Sequence, residues 1–235
     1  MFEHSYYINL DSRVDRRNSF ENEIQKIGLN PIRISAITPT DADCMAANYG
    51  ADVERNKRLI TTPYVKNKMG CSLSHMSIIK LAKQQNFENV LIFEDDIQID
   101  NPTLAKTQME LCFEELKTIK WDMMYFGGQP ISDCTRVTNN IAKCFRGAPY
   151  TTHAYAVNHT YYNKLLSIDI WHHDVIDVIY VHIEPQFGIM VSKNLLIVQK
   201  QKLLSSLRFS DGNEPANIYM KRDWEKHITN SNNWN

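Results

Sequence analysis

The chain lacks any excess of basic residues: its 235 residues carry 26 Lys and Arg against 27 Asp and Glu, a formal net charge of -1. A nucleic-acid partner normally leaves a strongly cationic footprint, so no such partner is expected. The chain also has no CxxC pair, and its cysteines (Cys44, Cys71, Cys112, Cys134, Cys144) are odd in number. They read as reduced thiols, not as a disulfide framework or a zinc site. No apolar run approaches the ~20 residues that span a bilayer. Met1–His4 has no basic region leading into an apolar stretch, so a secretory signal is not expected either. Repeats and long low-complexity tracts are missing as well. The expectation is one domain over residues 1–235 with an Asn-rich tail at about 229–235 that frays, in the cytoplasm and touching a membrane at most peripherally. At 43% hydrophobic residues it has ample material for a core.

The most informative stretch is Val90-Leu91-Ile92-Phe93, which runs straight into Glu94-Asp95-Asp96. An unbroken apolar run is how a strand covered on both faces reads. Its carboxyl end then carries three acids. In open α/β sheets that end faces a ligand cleft. Alternation along a strand puts Glu94 and Asp96 on one side and Asp95 on the other. Two carboxylates aimed the same way suit a hard divalent cation such as Mg2+ or Mn2+. A solvated acidic strand end on the surface is the plain alternative.

Around this stretch the pattern alternates strands and helices. Ser5 to Leu10 reads as a first strand. Asp11-Ser12 offers capping chemistry for a helix whose apolar face is Val14, Phe20, Ile24 and Ile27, with Gly28 as its stop. Arg13, Arg16 and Arg17 at the start of that helix could pair with phosphate. Pro31 to Ile37 reads as a second strand, and Thr38 to Lys68 as a long irregular binding loop or lid. Gly70-Cys71-Ser72-Leu73-Ser74-His75 opens a helix to about Gln85, whose free N–H groups could bind an anion; His75 is a ligand contact or a packed histidine. Pro102 to about Ile119 is an amphipathic helix with Leu104, Met109, Leu111, Cys112, Phe113 and Leu116. Trp121 to Phe126 is a buried strand ending at Gly127-Gly128, a turn or a close approach to a ligand. Ser132 to Lys143 reads as a loop or small hairpin, Thr151 to Val157 as a strand, Thr160 to Ile168 as a helix, and Leu195 to Val198 as the last strand. Trp171-His172-His173-Asp174 is read as an exposed loop, since adjacent histidines seldom reach one ion. Asp177, a lone acid among apolar residues, either caps a helix or works in a cleft.

In order, INLDxRxDRR, AI after the second strand, GCSLSH, LIFEDD, WDMMYFGG, THAYAV, VIDVIY and a late SD pair resemble glycosyltransferase family 25, over about residues 5 to 211. The resemblance implies an α/β, GT-A-type Rossmann-like nucleotide-sugar-binding fold with a mostly parallel central sheet flanked by helices. It implies an inverting transfer of a hexose, galactose or glucose, from a UDP-sugar to an acceptor hydroxyl on a glycan, lipid-linked or protein-linked. It also implies Mn2+ or Mg2+, held by Asp96 and Glu94. Carried over by position, Ile8, Asn9, Leu10 and Arg16 border the nucleotide, with Ala36 near the base. Gly70, Ser74 and His75 form the middle of the donor site, joined by Asp95, His153 and, in the late SD pair, Asp211. Asp177 is the general base. Two departures bear on the acceptor class: Val198 to Lys202 lacks a proline that many members have, and Val178 and Ile179 follow the catalytic acid where polar residues are usual. A homo-oligomer is compatible with the sequence. Rival readings are an inactive nucleotide-sugar binder, a metal-dependent phosphohydrolase or nucleotidyltransferase, and a purely structural domain.

Overall fold

Val90 and Ile92 point to one side of the sheet and Leu91 and Phe93 to the other, and this two-residue period divides the protein into two cores. The computed structural model describes residues 2–46, 63–168, 170 and 175–200. Its elements in order are β1 (Ser5–Asn9), α1 (Val14–Gln25), β2 (Ile32–Ser35), α2 (Asp41–Ala46), α3 (Pro63–Gln84), β3 (Asn89–Glu94), β4 (Ile97–Ile99), α4 (Pro102–Leu116), β5 (Met123–Gln129), β6 (Cys134–Arg136), β7 (Ile141–Cys144), β8 (Tyr150–Asn158), α5 (His159–Leu166), α6 (Ile176–His182), β9 (Ile189–Ser192) and β10 (Ile197–Gln199).

Eight strands form one sheet in the order β2-β1-β3-β8-β5-β9-β7-β6, and β10 pairs with β4 in a second, two-stranded sheet. The α/β class is as expected, and helices cover both faces of the sheet. The sheet itself is mixed. Pairs β1·β2, β1·β3 and β5·β9 are parallel, whereas β3·β8, β5·β8, β7·β9 and β6·β7 are antiparallel. The reason is two reversed strands: β8, inserted antiparallel between β3 and β5 at the middle of the sheet, and β7, inserted antiparallel between β9 and β6.

The two cores follow from side-chain alternation. Tyr6, Ile8, Val90, Ile92, Met123, Tyr125, Tyr155 and Val157 pack with Ile78, Ile79 and Ala82 of α3, Tyr161 and Leu165 of α5, and Ile176 and Tyr180 of α6. On the other face Tyr7, Leu91, Phe93, Met124, Phe126, Ala154 and Ala156 meet Phe20 and Ile24 of α1 and Met109, Cys112 and Leu116 of α4. Two helical faces are narrower than their periodicity suggests: Val14 is 56% exposed, and Leu104 and Leu111 are 41% and 45% exposed. α4 is well started, with Asn101 accepting from the Leu104 amide and Pro102 in the first turn. α1 has no such cap: Asp11 instead accepts from Arg33 and Ser35, tying the end of β1 to β2.

Gly70 to His75 does not open a helix. α3 begins at Pro63, a residue suited to a first turn, and runs through this segment, so its amides are spent on intrahelical bonds and cannot receive an anion. The supposed irregular stretch from Thr38 to Lys68 is thus partly helical, as α2 and the start of α3; residues 47–62 lie outside the described part. Gly127 and Gly128 are not a turn either. Both belong to β5, where the pairing with β8 shifts register, and the close approach they allow is to the protein itself. A Cβ on Gly127 would lie 2.3 Å from both His153 Nε2 and the Ile197 carbonyl oxygen. Gly127→Ala is therefore expected to force apart β5, β8 and β10 and to lower stability by about 1–3 kcal/mol, read as a lower denaturant midpoint; an unchanged midpoint would show that this contact relaxes freely.

Candidate functional site

Glu94 is the last residue of β3 and continues the face of Val90 and Ile92, which carries it toward α3. There Glu94 Oε1 accepts from the Thr152 hydroxyl at 2.7 Å and lies 3.4 Å from His75 Nε2. Beyond Glu94 the strand ends and the chain turns, so alternation no longer governs its side chains. Asp95 and Asp96 consequently do not point to opposite sides. Both reach Arg16 of α1, whose Nη1 donates to Asp95 Oδ1 at 2.8 Å and whose Nη2 donates to Asp96 Oδ2 at 3.0 Å. Asn9, at the end of β1, adds a 2.7 Å bond from Nδ2 to Asp95 Oδ2 and accepts from Arg33 Nε at 3.0 Å.

Asn9, Arg16, His75 and the three acids border a cavity of about 360 Å³ at the carboxyl ends of β1, β2 and β3, closed on one side by α3. Of the residues proposed from the sequence, Ile8, Asn9, Leu10, Arg16, Ala36, Gly70, Ser74, His75, Glu94, Asp95 and Asp96 all line it. A larger cleft of about 760 Å³ lies at the opposite end of the strands, near His4, Asn89 and Trp121. It holds no comparable knot of buried charge, and ligands of open α/β sheets bind at the carboxyl ends.

Several lining residues serve the frame more than the cavity. Ser74 Oγ donates to the Gly70 carbonyl at 2.6 Å and accepts from the Ile37 amide at 2.8 Å. Gly70 lets the chain pass close by, since a Cβ there would lie 2.4 Å from the Ile37 carbonyl oxygen. Together they fix residues 36–39 as one wall. Arg13 and Arg17 turn away to Asp15 and Glu21, leaving Arg16 as the guanidinium of the triplet that faces the acids.

Asp177 and His153 stand apart from this lining. Asp177 lies in the first turn of α6; its Oδ1 accepts from the Val178 amide at 2.8 Å and its Oδ2 from the Thr151 amide at 3.2 Å. Thr151 has a left-handed φ of 67°, rare for a β-branched residue, and its hydroxyl bonds His153 Nδ1 at 3.0 Å. His153 Nε2 faces the Ile197 carbonyl oxygen at 2.9 Å, so both ring nitrogens are engaged by protein. Burial lowers its pKa. Asp211, its neighbour Ser210, the His172-His173 pair and the Asn-rich tail all lie outside the described residues.

The sequence reading missed Cys71, Lys66 and Gln199, which also line the cavity. Lys66 pairs with Asp41 of α2. Gln199 sits in the segment where the chain departs from the family pattern, which was the available signal for it. Lys66 gave none, because it fell in a stretch that looked irregular.

The electrostatics separate the acids. Burial opposes ionisation of Glu94, but the His75 ring and the Thr152 hydroxyl outweigh it and hold its carboxyl at about 2. Asp96 moves the other way: burial first, then the charge of Glu94, push it up to about 7 against the pull of Arg16. Burial also raises Asp95, with Arg16 and Asn9 opposing. Asp96 Oδ1 is buried and has no hydrogen-bond partner. A carboxylate oxygen left so, beside a second carboxylate, is a donor set that a hard divalent cation fits. Asp96 and Glu94 could hold such an ion.

The chain belongs to glycosyltransferase family 25: the model of that family, described as glycosyltransferase family 25 (LPS biosynthesis protein), matches residues 2–167. A glycosyltransferase 25 family member of Aedes aegypti is 29% identical over 136 residues, covering 55% of this chain and 22% of the relative. Procollagen galactosyltransferase 1-A of Xenopus laevis is 25% identical over 131 residues, 54% of this chain and 21% of the relative. A human relative named inactive glycosyltransferase 25 family member 3 is 25% identical over 174 residues, 71% of this chain and 29% of the relative. The chain thus spans between about a fifth and a third of the length of these relatives. The matched region of the family model includes Arg16, His75 and the three acids but stops before Asp177 and Gln199.

The raised Asp96 pKa has a consequence for stability. A carboxyl whose folded pKa lies above its unfolded value of 3.8 contributes stability at low pH that is lost as pH rises toward about 7. Asp96→Asn removes that loss. The melting temperature of the metal-free Asn variant should therefore gain on the wild type between pH 5 and pH 8, by a few degrees for each kcal/mol or so relieved. A gap that stays constant, or narrows, over that range would contradict the assignment.

Proposed function

We propose that this chain is a divalent-cation-dependent glycosyltransferase that moves a hexose, galactose or glucose, from a UDP-sugar to an acceptor hydroxyl on a glycan, lipid-linked or protein-linked. The observation that carries this reading is the partly buried Glu94-Asp95-Asp96 knot at the end of β3, with Asp96 Oδ1 unbonded, facing a cavity at the carboxyl ends of the parallel strands. Family membership supports the reaction class, and the name of the Xenopus relative supports galactose.

Asp96 and Glu94 would hold Mn2+ or Mg2+, which when bound neutralises charge developing on a diphosphate leaving group. The remaining roles fall to the chain's own residues. Ile8, Asn9 and Leu10 border the nucleotide, with Ala36 near the base. Arg16, kept in place by two carboxylates, sets a fixed positive charge beside the departing diphosphate without needing to reorganise. In a single displacement the acceptor oxygen forms a bond to the anomeric carbon as the carbon–diphosphate oxygen bond breaks, and the hydroxyl proton passes to a carboxylate. Asp177 is the residue proposed for that proton. It is a carboxylate held at the start of α6 by the Val178 and Thr151 amides. Inversion is the outcome of this one-step route.

A silent nucleotide-sugar binder is the competing reading, supported by the human relative named inactive. Calorimetry with UDP-galactose, UDP-glucose and UDP, in Mn2+ and in chelator, separates the cases when joined to a turnover assay. Metal-dependent binding is expected, with Asp177→Asn still binding donor while sugar transfer falls about 10²–10⁴-fold. Binding without turnover in the wild type would favour the silent binder, and no binding of any UDP compound by folded protein would overturn the donor assignment.

A further inference from the structure

Cys71 and His75 are four residues apart on α3 and so lie on one face of the helix, the face turned to the end of β3. There they meet Glu94. One ligand atom from each of Cys71, His75 and Glu94 lies within 4.8 Å of the other two. His75 is fully buried, and its Nε2 has no hydrogen-bond partner although it stands 3.4 Å from Glu94 Oε1. Its other nitrogen is occupied: Nδ1 is 2.9 Å from the hydroxyl of buried Tyr155. Metal-binding histidines are oriented in this way, with one nitrogen fixed by an outer partner and the other left for the ion.

We propose that Cys71 Sγ, His75 Nε2 and a Glu94 carboxylate oxygen form a second cation subsite, for a borderline transition metal of the Zn2+ type. Sulfur, imidazole and carboxylate are the three donor types that such an ion takes, at about 2.3, 2.0 and 2.0–2.2 Å. The ligand atoms need to contract only modestly to reach a tetrahedral arrangement, and all three residues line the cavity, from which a fourth ligand would come. The donor set differs from the all-oxygen pair of Asp96 and Glu94, so softness divides the two subsites between two classes of metal. Binding breaks the Cys71 S–H bond, the thiolate sulfur takes up the metal, and the proton goes to solvent. No CxxC spacing announces this site, because its third ligand arrives from a strand end rather than from the helix. Glu94 belongs to both subsites, so Zn2+ would antagonise Mn2+-dependent donor binding; that consequence rests on the proposed function, whereas the subsite itself does not.

Anaerobic titration of the reduced chain with Co2+ as the probe tests the subsite, reading the near-ultraviolet thiolate-to-cobalt band and the visible d–d bands. One equivalent should produce both in the wild type and in Asp96→Asn, and Cys71→Ser should lose the thiolate band. Tyr155→Phe should keep the band and weaken affinity about 10–100-fold, the usual effect of removing an outer-shell partner. Peptide mass mapping of the wild type, which needs no variant, should show Zn2+ slowing alkylation of Cys71. No thiolate band in the wild type, a band that survives Cys71→Ser, or unprotected Cys71 would overturn the proposal. Cobalt binding without Mn2+-dependent UDP binding would leave this subsite standing and sink the donor reading; the reverse result would do the opposite.

Discussion

Three carboxylates at the end of one strand repel one another, and in a part-buried position water does little to relieve the repulsion. The site is arranged around that constraint. Arg16 bridges Asp95 and Asp96, Asn9 takes a further oxygen of Asp95, and Glu94 is drawn aside to His75 and Thr152. The relief is incomplete, as the raised Asp96 carboxyl and its unbonded oxygen show. Breaking a buried ion pair by removing one partner typically costs about 3–5 kcal/mol. A fold that keeps such a cluster without fully neutralising it is giving up stability that an apolar strand end would keep, which is the pattern expected where function requires the charge.

The rest of the scaffold holds that cluster in register. Parallel pairing of β1 with both β2 and β3 brings Asn9, Ala36 and Glu94 to one end of the sheet. Antiparallel β8 delivers Thr152 to Glu94 and Tyr155 to His75. The bonds of Ser74 and the absence of a side chain at Gly70 pin residues 36–39 to α3. His153, admitted by Gly127, ties β8 to the segment that ends in Gln199. Several motif residues thus act one step removed from any ligand.

Local patterning carried much of this into the sequence. The apolar run of β3, its acidic end and the strand-helix alternation around it were legible because each depends on a short window. Burial on both faces also made Val90 to Phe93 unambiguous. What failed depended on where elements end and on distant partners. The opposed directions expected for Asp95 and Asp96 assumed that the strand continued, whereas it stops at Glu94. The start of α3 was hidden because Pro63 follows a polar stretch with no periodicity. Short β4, and its pairing with β10 a hundred residues away, has no local signature. Leu104 and Leu111 are apolar but exposed, since α4 touches the sheet along a narrow stripe only. Cys71 reads in the sequence only as one of five reduced thiols; α3 and β3 place it beside His75 and Glu94.

The central claim is that the acids at the end of β3 hold a divalent cation against a nucleoside diphosphate. The most direct measurement is an anomalous difference map from crystals of the chain soaked with Mn2+ and UDP. A manganese peak within bonding distance of Asp96 and Glu94, with diphosphate density beside Arg16, is the expected result. A map in which UDP binds elsewhere, or in which manganese is found only on exposed surface acids, would contradict it.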